Sequence, residues 1–168
     1  MALISNDVLS INYMNMSMCY DVWKNSLDED NKKFVPDEVF ETLDEAKEVV
    51  AQIIQSSQSE SGPFVYAITR NSDEANLGYV QLVKIKEGWE IGYHIAKKYT
   101  GNGYATAAVK LFLEHLKNDG YKQIYGIALA SNKASRRVLE KTGFKLFFEG
   151  YGTYQGRRRK IIRTLINL

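Results

Sequence analysis

Several features are scarce in this chain of 168 residues, and each scarcity excludes a class of protein. Cysteine occurs once, at Cys19, so a disulfide framework and a cysteine-based metal site are excluded, and we expect no metal. Two prolines and the lack of any low-complexity tract argue against a disordered chain. Basic residues number 22 against 20 acidic ones, so charge predicts no nucleic-acid partner.

Long apolar runs are missing too. No stretch approaches the roughly 20 apolar residues of a membrane-spanning helix, so we expect no membrane partner. Residues 1–10 include Asp7 and lack the apolar centre of a signal peptide. The composition is 45% apolar and 25% charged, as in globular proteins. We therefore expect one soluble domain over 1–168, in the cytoplasm.

The first part of the chain shows mainly helical periodicity. Thr42 and Glu45 form a capping-box pattern at the start of a helix whose apolar residues recur every three or four positions. Before that helix we predict a strand over 8–14, a helix over 17–25 and a polar loop over 27–39.

From Pro63 onward the apolar pattern alternates. Strands are predicted over 64–69, 77–85 and 89–95, and their short connections require antiparallel pairing. A helix over 103–118, a strand over 122–129, a helix over 133–142 and a hairpin around Gln155–Gly156 follow. The order predicts an α+β fold: a mixed, mostly antiparallel central sheet of about seven strands with helices on both faces.

The most informative segment is the turn Lys98–Gly103, which leads from a strand into the long helix. Unpaired amides at a helix start and glycines at 101 and 103 suit a phosphate group. A Walker loop requires Gly-Lys-Ser/Thr, but Tyr104 follows Gly103, and a dinucleotide motif requires a third glycine where Thr106 stands. A plain tight turn and a small nucleotide-binding protein remain the alternatives.

Two motifs together carry a family resemblance. Lys98-x-x-Gly101-x-Gly103 resembles the pyrophosphate loop of the GNAT superfamily of N-acetyltransferases, with lysine in place of the usual Gln or Arg. About thirty residues later, the segment Asn132–Phe144 resembles the second signature of that superfamily, an Asn and Ser that open a helix ending in Glu-Lys-x-Gly-Phe. The pair resembles most the branch of ribosomal-protein alanine N-acetyltransferases.

The resemblance implies acetyl-CoA as cosubstrate. Main-chain groups of Tyr93–Ala96 would pair with the pantetheine arm, and amides of 98–104 would hold the pyrophosphate. Asn132 would contact the pantetheine, or it is simply the N-cap of its helix. The implied cofactor-binding residues are Ile95, Ala96, Lys98, Tyr99, Thr100, Gly101, Asn102, Gly103, Tyr104, Ala105, Thr106, Asn132, Ser135 and Arg136.

Five residues are candidates for proton transfer. Strand alternation places Glu90 and His94 on one face, and Glu90 is the preferred general base; the alternative is a surface carboxylate paired with a lysine such as Lys84. His94 is a second candidate base, or a structural histidine. Tyr93 is a candidate acid for the leaving thiolate, as are Tyr104 and Tyr151; in the helix where some relatives carry an acidic tyrosine, this chain has Leu139.

Two charged segments have an ordinary interpretation. The run 156–160 (GRRRK) is expected to be a solvated edge rather than a nucleic-acid or ribosome patch, and the acidic segment 28–30 a solvated loop rather than an attractor of cationic substrates.

The predicted function is acetyl transfer from acetyl-CoA to a primary amine, in a small molecule or at a protein N-terminus, by direct attack in a ternary complex. The alternative is an acyl-CoA-binding sensor without turnover. Homodimers are common in the family that the chain resembles.

Overall fold

The computed structural model describes residues 2–168, which form one sheet of eight strands and five α-helices. The strands are β1 (Ala2–Ser5), β2 (Leu9–Tyr13), β3 (Phe64–Arg70), β4 (Asn76–Ile85), β5 (Gly88–Ile95), β6 (Gln123–Leu129), β7 (Lys145–Tyr154) and β8 (Arg157–Asn167). The helices are α1 (Cys19–Ser26), α2 (Glu29–Phe34), α3 (Leu43–Ser56), α4 (Tyr104–Asn118) and α5 (Lys133–Lys141). Three 3₁₀ turns cover Met16–Met18, Pro36–Glu38 and Lys97–Tyr99.

The strands lie side by side in the order β1-β2-β3-β4-β5-β6-β8-β7. Every neighbouring pair is antiparallel except β5 and β6. Those two strands run parallel and pair only at Glu90 with Tyr125 and at Ile91 with Gly126. Beyond Ile91 they separate, so the sheet is open at its centre.

Helices cover both faces of the sheet, as the sequence predicts. On one face, Tyr66 and Ile68 of β3 belong to the main core, together with Val109 and Phe112 of α4. Residues that alternate with them on β3, such as Val65, are buried on the opposite face, where α3 lies. Among residues 2–168, no helix is both long and apolar enough to cross a membrane.

The predicted capping box at α3 is confirmed. The Glu45 amide donates to Thr42 Oγ1 at 3.2 Å, and the Thr42 amide donates to Glu45 Oε2 at 3.4 Å. These two bonds satisfy amides that a helix start leaves without partners. The helix then buries Ala46 and Val50 completely against the sheet.

Two sequence predictions of the fold need correction. The segment 27–39 is not a loop, because it contains α2 and the 3₁₀ turn at Pro36–Glu38. The Asp and Asn residues that suggested a loop lie at the start of α2, and Lys32 and Lys33 lie at its end. Acidic side chains at a helix start and basic ones at its end stabilise the helix through its dipole. Strand β1 was not predicted; its pairing with β2 brings the sheet to eight strands.

Candidate active site

The central feature of the site is a cleft where β5 and β6 separate. It encloses about 400 Å³ and is lined by residues of both strands and of α5. The carbonyl of His94 points towards β4, against Gly78. Because successive residues of a strand direct their main-chain groups to opposite sides, those of Tyr93 and Ile95 face the cleft. An extended ligand arm can therefore pair with this open edge as a strand would.

The loop after β5 forms an open anion cradle. Gly101 and Gly103 have φ angles of 84° and 78°, in the left-handed region that favours glycine. A Cβ built on either glycine meets no protein atom within 4 Å, so both positions face open space. The side chain of Asn102 fixes the loop by donating to the carbonyls of Tyr99 and Thr100 at 3.1 and 3.2 Å.

Amides of this loop converge without protein acceptors. The first main-chain bond of α4 runs from Ala107 to the Gly103 carbonyl, and within residues 2–168 the amides of 101–106 donate to no protein atom. The amides of Tyr99 and Thr100 are already used, since they donate to the carbonyls of Ala96 and Lys97. Among the amides of residues 99–106, the free donors thus begin at Gly101. Together with the helix dipole they favour a bound diphosphate.

Glu90 lies where the two strands part. It stands opposite Val83 on β4, and burial raises the pKa of its carboxyl from 4.5 to about 7, while the charge of Arg163 acts in the other direction. The suggested pairing with Lys84 is wrong: Lys84 stands opposite Trp89 and places its Nζ 5.8 Å from the centre of the indole ring. Glu90 is thus a partly buried carboxylate whose pKa is raised to about 7.

A second partly buried carboxylate, Glu38, lines the same cleft and was missed from the sequence. It ends the 3₁₀ turn after α2 and accepts a hydrogen bond from the Tyr79 hydroxyl. Burial raises its pKa to about 7, with hydrogen bonding from Gln81 opposing the rise. No local pattern could reveal it, because its position depends on how α2 folds over the sheet.

His94 and Tyr93 border the cleft from opposite sides of β5. Burial lowers the pKa of His94, whose Nε2 lies 3.8 Å from Asp28 Oδ2 and has no hydrogen-bond partner in the described part of the chain. Its imidazole is therefore neutral near pH 7. The Tyr93 hydroxyl lies 3.0 Å from Ser135 Oγ and donates to the Ser135 carbonyl at 3.1 Å. Burial raises the pKa of Tyr93, which keeps the phenol protonated.

Comparison with known proteins decides the family. Residues 20–145, more than half of the chain, match a family model described as an acetyltransferase (GNAT) domain. The chain belongs to the GNAT acetyltransferase family. Membership in this family makes it an acetyl-CoA-dependent N-acetyltransferase.

Solved structures share the GNAT fold over nearly the whole chain. A GNAT-family acetyltransferase from Bacillus anthracis is 22% identical, with 98% of this chain and 97% of that one covered and a TM-score of 0.82. RimL, a ribosomal L7/L12 α-N-protein acetyltransferase in complex with coenzyme A, is 16% identical, with 100% and 98% covered and a TM-score of 0.83. The microcin C7 self-immunity acetyltransferase MccE, in complex with acetyl-CoA and AMP, is 17% identical, with 97% and 94% covered and a TM-score of 0.82. A comparison with curated proteins gives no match.

The residues predicted to bind the GNAT cosubstrate fall into two groups. Five line the cleft itself: Ile95, Thr100, Ala105, Asn132 and Ser135. The others belong to the loop beside it or to the first turn of α4, except Arg136. Arg136 donates to both carboxylate oxygens of Glu149 at 3.2 and 3.1 Å and does not line the cleft. The Oδ1 of Asn132 accepts the Ser135 amide at 3.0 Å, which makes it the helix cap, and its Nδ2 remains available as a donor.

The positions of the candidate acids differ. The place of the acidic tyrosine of some relatives is taken by Leu139, which packs in the core against β6: a Cβ on Gly126 would lie 2.6 Å from its Cδ2. Tyr151 is 67% exposed, and the Tyr104 hydroxyl accepts from Arg70 at 3.3 Å. Tyr93 alone of the three predicted tyrosines lines the cleft.

Tyr154 also lines the cleft and was not predicted. Burial, together with the charges of Glu90 and Glu38, raises its pKa to about 12.

The two charged segments behave differently. The acidic segment is not a solvated loop: Asp28 accepts the amide of Lys97, and Asp30 pairs with the Lys97 ammonium at 3.0 Å. It thereby holds α2 against the start of the loop at residues 98–103, the predicted phosphate loop. The basic run forms the start of β8, which pairs with β6 only from Ile161 onward. The run lies at an exposed edge, as the solvated-edge interpretation predicts.

Proposed function

We propose that this GNAT protein acetylates a primary amine by direct attack in a ternary complex, with Glu90 as the general base. The position of Glu90 carries the proposal. Glu90 is the first of the two β5 residues that pair with β6, next to the point where the two strands separate. Its pKa of about 7 lets it accept a proton at neutral pH.

The charge of the cleft favours an amine acceptor. Its lining includes the carboxylates of Asp30, Glu38 and Glu90, and among the described residues that line it there is no lysine or arginine. Negative potential in a partly enclosed cleft attracts ammonium groups and repels anions. A protonated amine would therefore concentrate at the end of the cleft where it must lose its proton.

The described residues fit the cosubstrate. The amides of 101–106 would hold the diphosphate, the open edge at Tyr93 and Ile95 would pair with the pantetheine, and Asn132 Nδ2 would donate to it. Bound acetyl-CoA supplies the activated acetyl thioester. Holding amine and thioester in contact provides much of the rate enhancement.

The remaining steps move protons and stabilise charge. Glu90 takes the proton of the bound ammonium, directly or through one water molecule. A cleft-facing amide of β5 donates to the carbonyl oxygen as negative charge develops there. The Tyr93 hydroxyl, held protonated by burial and positioned by Ser135, donates to the leaving thiolate.

The structural neighbours support both classes of acceptor. RimL acts on a ribosomal protein N-terminus, and MccE was solved with acetyl-CoA and AMP. The resemblance of the sequence motifs to the ribosomal-protein branch supports a protein N-terminus. A homodimer and a cytoplasmic location also remain predictions from the sequence.

The decisive experiment is a thiol-release assay with acetyl-CoA and a panel of small amines, aminoglycosides and short peptides. We expect release of one thiol per acetylated amine with at least one acceptor, confirmed by mass spectrometry of the product. Binding of coenzyme A with no turnover on any amine or peptide would instead favour an acyl-CoA sensor. Thermal stabilisation by ATP or NAD but not by coenzyme A would contradict the assignment of the loop.

A further inference from the structure

The short helix α2 contributes side chains to the cleft but has little apolar burial to hold it in place. Its residues Asp30 and Phe34 line the cleft, as does Glu38 in the 3₁₀ turn that follows. The one buried residue of α2 is polar, Asn31. A helix of six residues is too short to be stable by itself, so contacts from outside must keep α2 where it is.

Asp28, directly before α2, makes an unusual contact of this kind. An aspartate at this position ordinarily accepts a hydrogen bond from an amide in the first turn of its own helix. Within residues 2–168, the Asp28 side chain makes no such capping bond. It accepts the amide of Lys97 instead, and its Oδ2 lies 3.8 Å from Nε2 of His94. A group that could stabilise α2 locally is thus used for a long-range contact.

Lys97 begins the 3₁₀ turn that leads into the phosphate loop, and both of its main-chain groups are bonded. Its amide donates to Asp28, and its carbonyl accepts from the amide and the hydroxyl of Thr100 at 3.2 and 2.8 Å. Thr100 lines the cleft and directly precedes Gly101, where the free amide donors begin. The phosphate loop and α2 are therefore connected through the main chain of one residue.

The other polar contacts of this segment are weaker or lie at its far end. The Lys97 ammonium pairs with Asp30 at 3.0 Å, but both side chains are more than a third exposed, and such surface pairs contribute little to stability. The Tyr79 hydroxyl donates to Glu38 and fixes the end of the segment. The start of α2 is therefore held chiefly by the bond from the Lys97 amide to Asp28.

We propose that Asp28 is a positioning residue: by holding the Lys97 amide, it sets the place of α2 and of Glu38 relative to the phosphate loop. Bound coenzyme A fixes this loop, and the bond passes the constraint on to α2. Binding of the diphosphate and ordering of α2 then stabilise each other, because a coupling between two sites acts in both directions. The inference rests on the proposed function, in particular on the proposed place of the diphosphate.

The first test compares two variants of Asp28 by hydrogen–deuterium exchange with and without saturating coenzyme A. In the wild type, coenzyme A should slow amide exchange in 29–38 by about threefold or more. Asp28→Asn keeps an oxygen that can accept the Lys97 amide and should keep this slowing, whereas Asp28→Ala should lose it. The Kd for coenzyme A should rise about fivefold in Asp28→Ala and stay unchanged in Asp28→Asn.

A purely structural role of Asp28 would give a different result. It would speed exchange in α3 as well as in α2, with or without coenzyme A, whereas we expect exchange in α3 to remain as in the wild type. Asp44→Ala, which removes an exposed carboxylate at the start of α3, is the matched control. It should change neither the slowing in 29–38 nor the Kd for coenzyme A.

The second test removes the donor of the bond instead of its acceptor. Lys97→Pro lacks the amide, and Lys97 stands first in its 3₁₀ turn, a position that proline tolerates. Lys97→Met keeps the amide and removes only the exposed ion pair. Coenzyme A should slow exchange in 29–38 in Lys97→Met but not in Lys97→Pro. This pair of variants tests the link even if Asp28→Ala does not fold.

The proposal would be overturned by equal slowing in Asp28→Ala and the wild type, or by no slowing in the wild type. Neither test needs an acceptor, so a lack of turnover with every amine would contradict the proposed function and leave these results standing. A wild type that does not bind coenzyme A would contradict both the phosphate loop and the role of Asp28.

Discussion

At the scale of single residues, the environment of Glu90 determines what its carboxyl can do. Burial, only partly offset by the charge of Arg163, raises its pKa to about 7, so half of the molecules carry the ionised base near neutral pH. In the wild type, kcat/KM should therefore rise as the pH increases through about 7 and level off above it.

We predict that Glu90→Gln removes this rise. Turnover above pH 7 should fall roughly 100- to 10,000-fold, the usual contribution of a general base. The Kd for coenzyme A should not change, since Glu90 lies outside the phosphate loop. Stopped-time assays between pH 5.5 and 9 measure the fall in turnover and the loss of its pH dependence. Glu114→Gln, on the exposed face of α4, is the control. Should Glu38→Gln flatten the profile while Glu90→Gln keeps it, Glu38 would be the base.

The two carboxylates also show how far residue-level prediction from sequence can go. The position of Glu90 beside the cleft could be predicted, because strand alternation and the distance to the glycine loop are both local in sequence. Glu38 and Tyr154 could not, since each reaches the cleft only through long-range packing of α2 and of the final hairpin. Nothing in the sequence next to them distinguishes them from surface residues.

At the scale of elements, the phosphate loop depends on two left-handed glycines and on the donors that follow them. We predict that Gly101→Asp abolishes measurable coenzyme A binding. The side chain would strain a φ of 84° and place a negative charge where we propose that the diphosphate binds. Isothermal titration calorimetry measures the loss.

Gly120→Asp is the control for that variant. Gly120 also has a positive φ, of 88°, with open space around it, but it lies at the other end of α4. It should lose similar stability and keep its affinity for coenzyme A. Equal affinity of Gly101→Asp and wild type would contradict the position of the diphosphate.

Elements with strong local signals were predicted well. The capping box of α3 and the apolar stripe of α4 fix those helices, and the alternation along β3–β5 fixes the meander. The α2 region was misread because Asp and Asn favour both turns and helix starts, and only long-range contacts with Lys97, a hydrogen bond to Asp28 and an ion pair with Asp30, decide between them. Four residues of β1 are too few to show a period.

At the scale of the whole molecule, the two partly buried carboxylates couple stability to pH. Glu38 and Glu90 ionise near pH 4.5 when unfolded and near pH 7 when folded, so between these values the folded state binds more protons. Their contribution to the free energy of unfolding is complete below pH 4.5 and is lost as the pH rises through 7. One pKa unit corresponds to about 1.4 kcal/mol, so each group changes stability by a few kcal/mol.

We predict that Glu38→Gln raises the unfolding temperature at pH 8 and leaves it nearly unchanged at pH 4.5. Gln keeps an oxygen that can accept from Tyr79 but carries no charge to desolvate. The increase should be several degrees, because 1 kcal/mol moves the midpoint of a protein of this size by about 2–4 °C. Differential scanning calorimetry at the two pH values measures it, and an equal shift at both would contradict the assigned cause.

The parallel seam of β5 and β6 is only two residue pairs long, so few main-chain hydrogen bonds join the first five strands to the last three. Side chains of both groups of strands still share one core, for example Ile91 and Ile124. A cosubstrate lying in the opening would contact strands on both sides of the seam. Amide exchange in β8, which does not line the cleft, should then slow as well when coenzyme A binds.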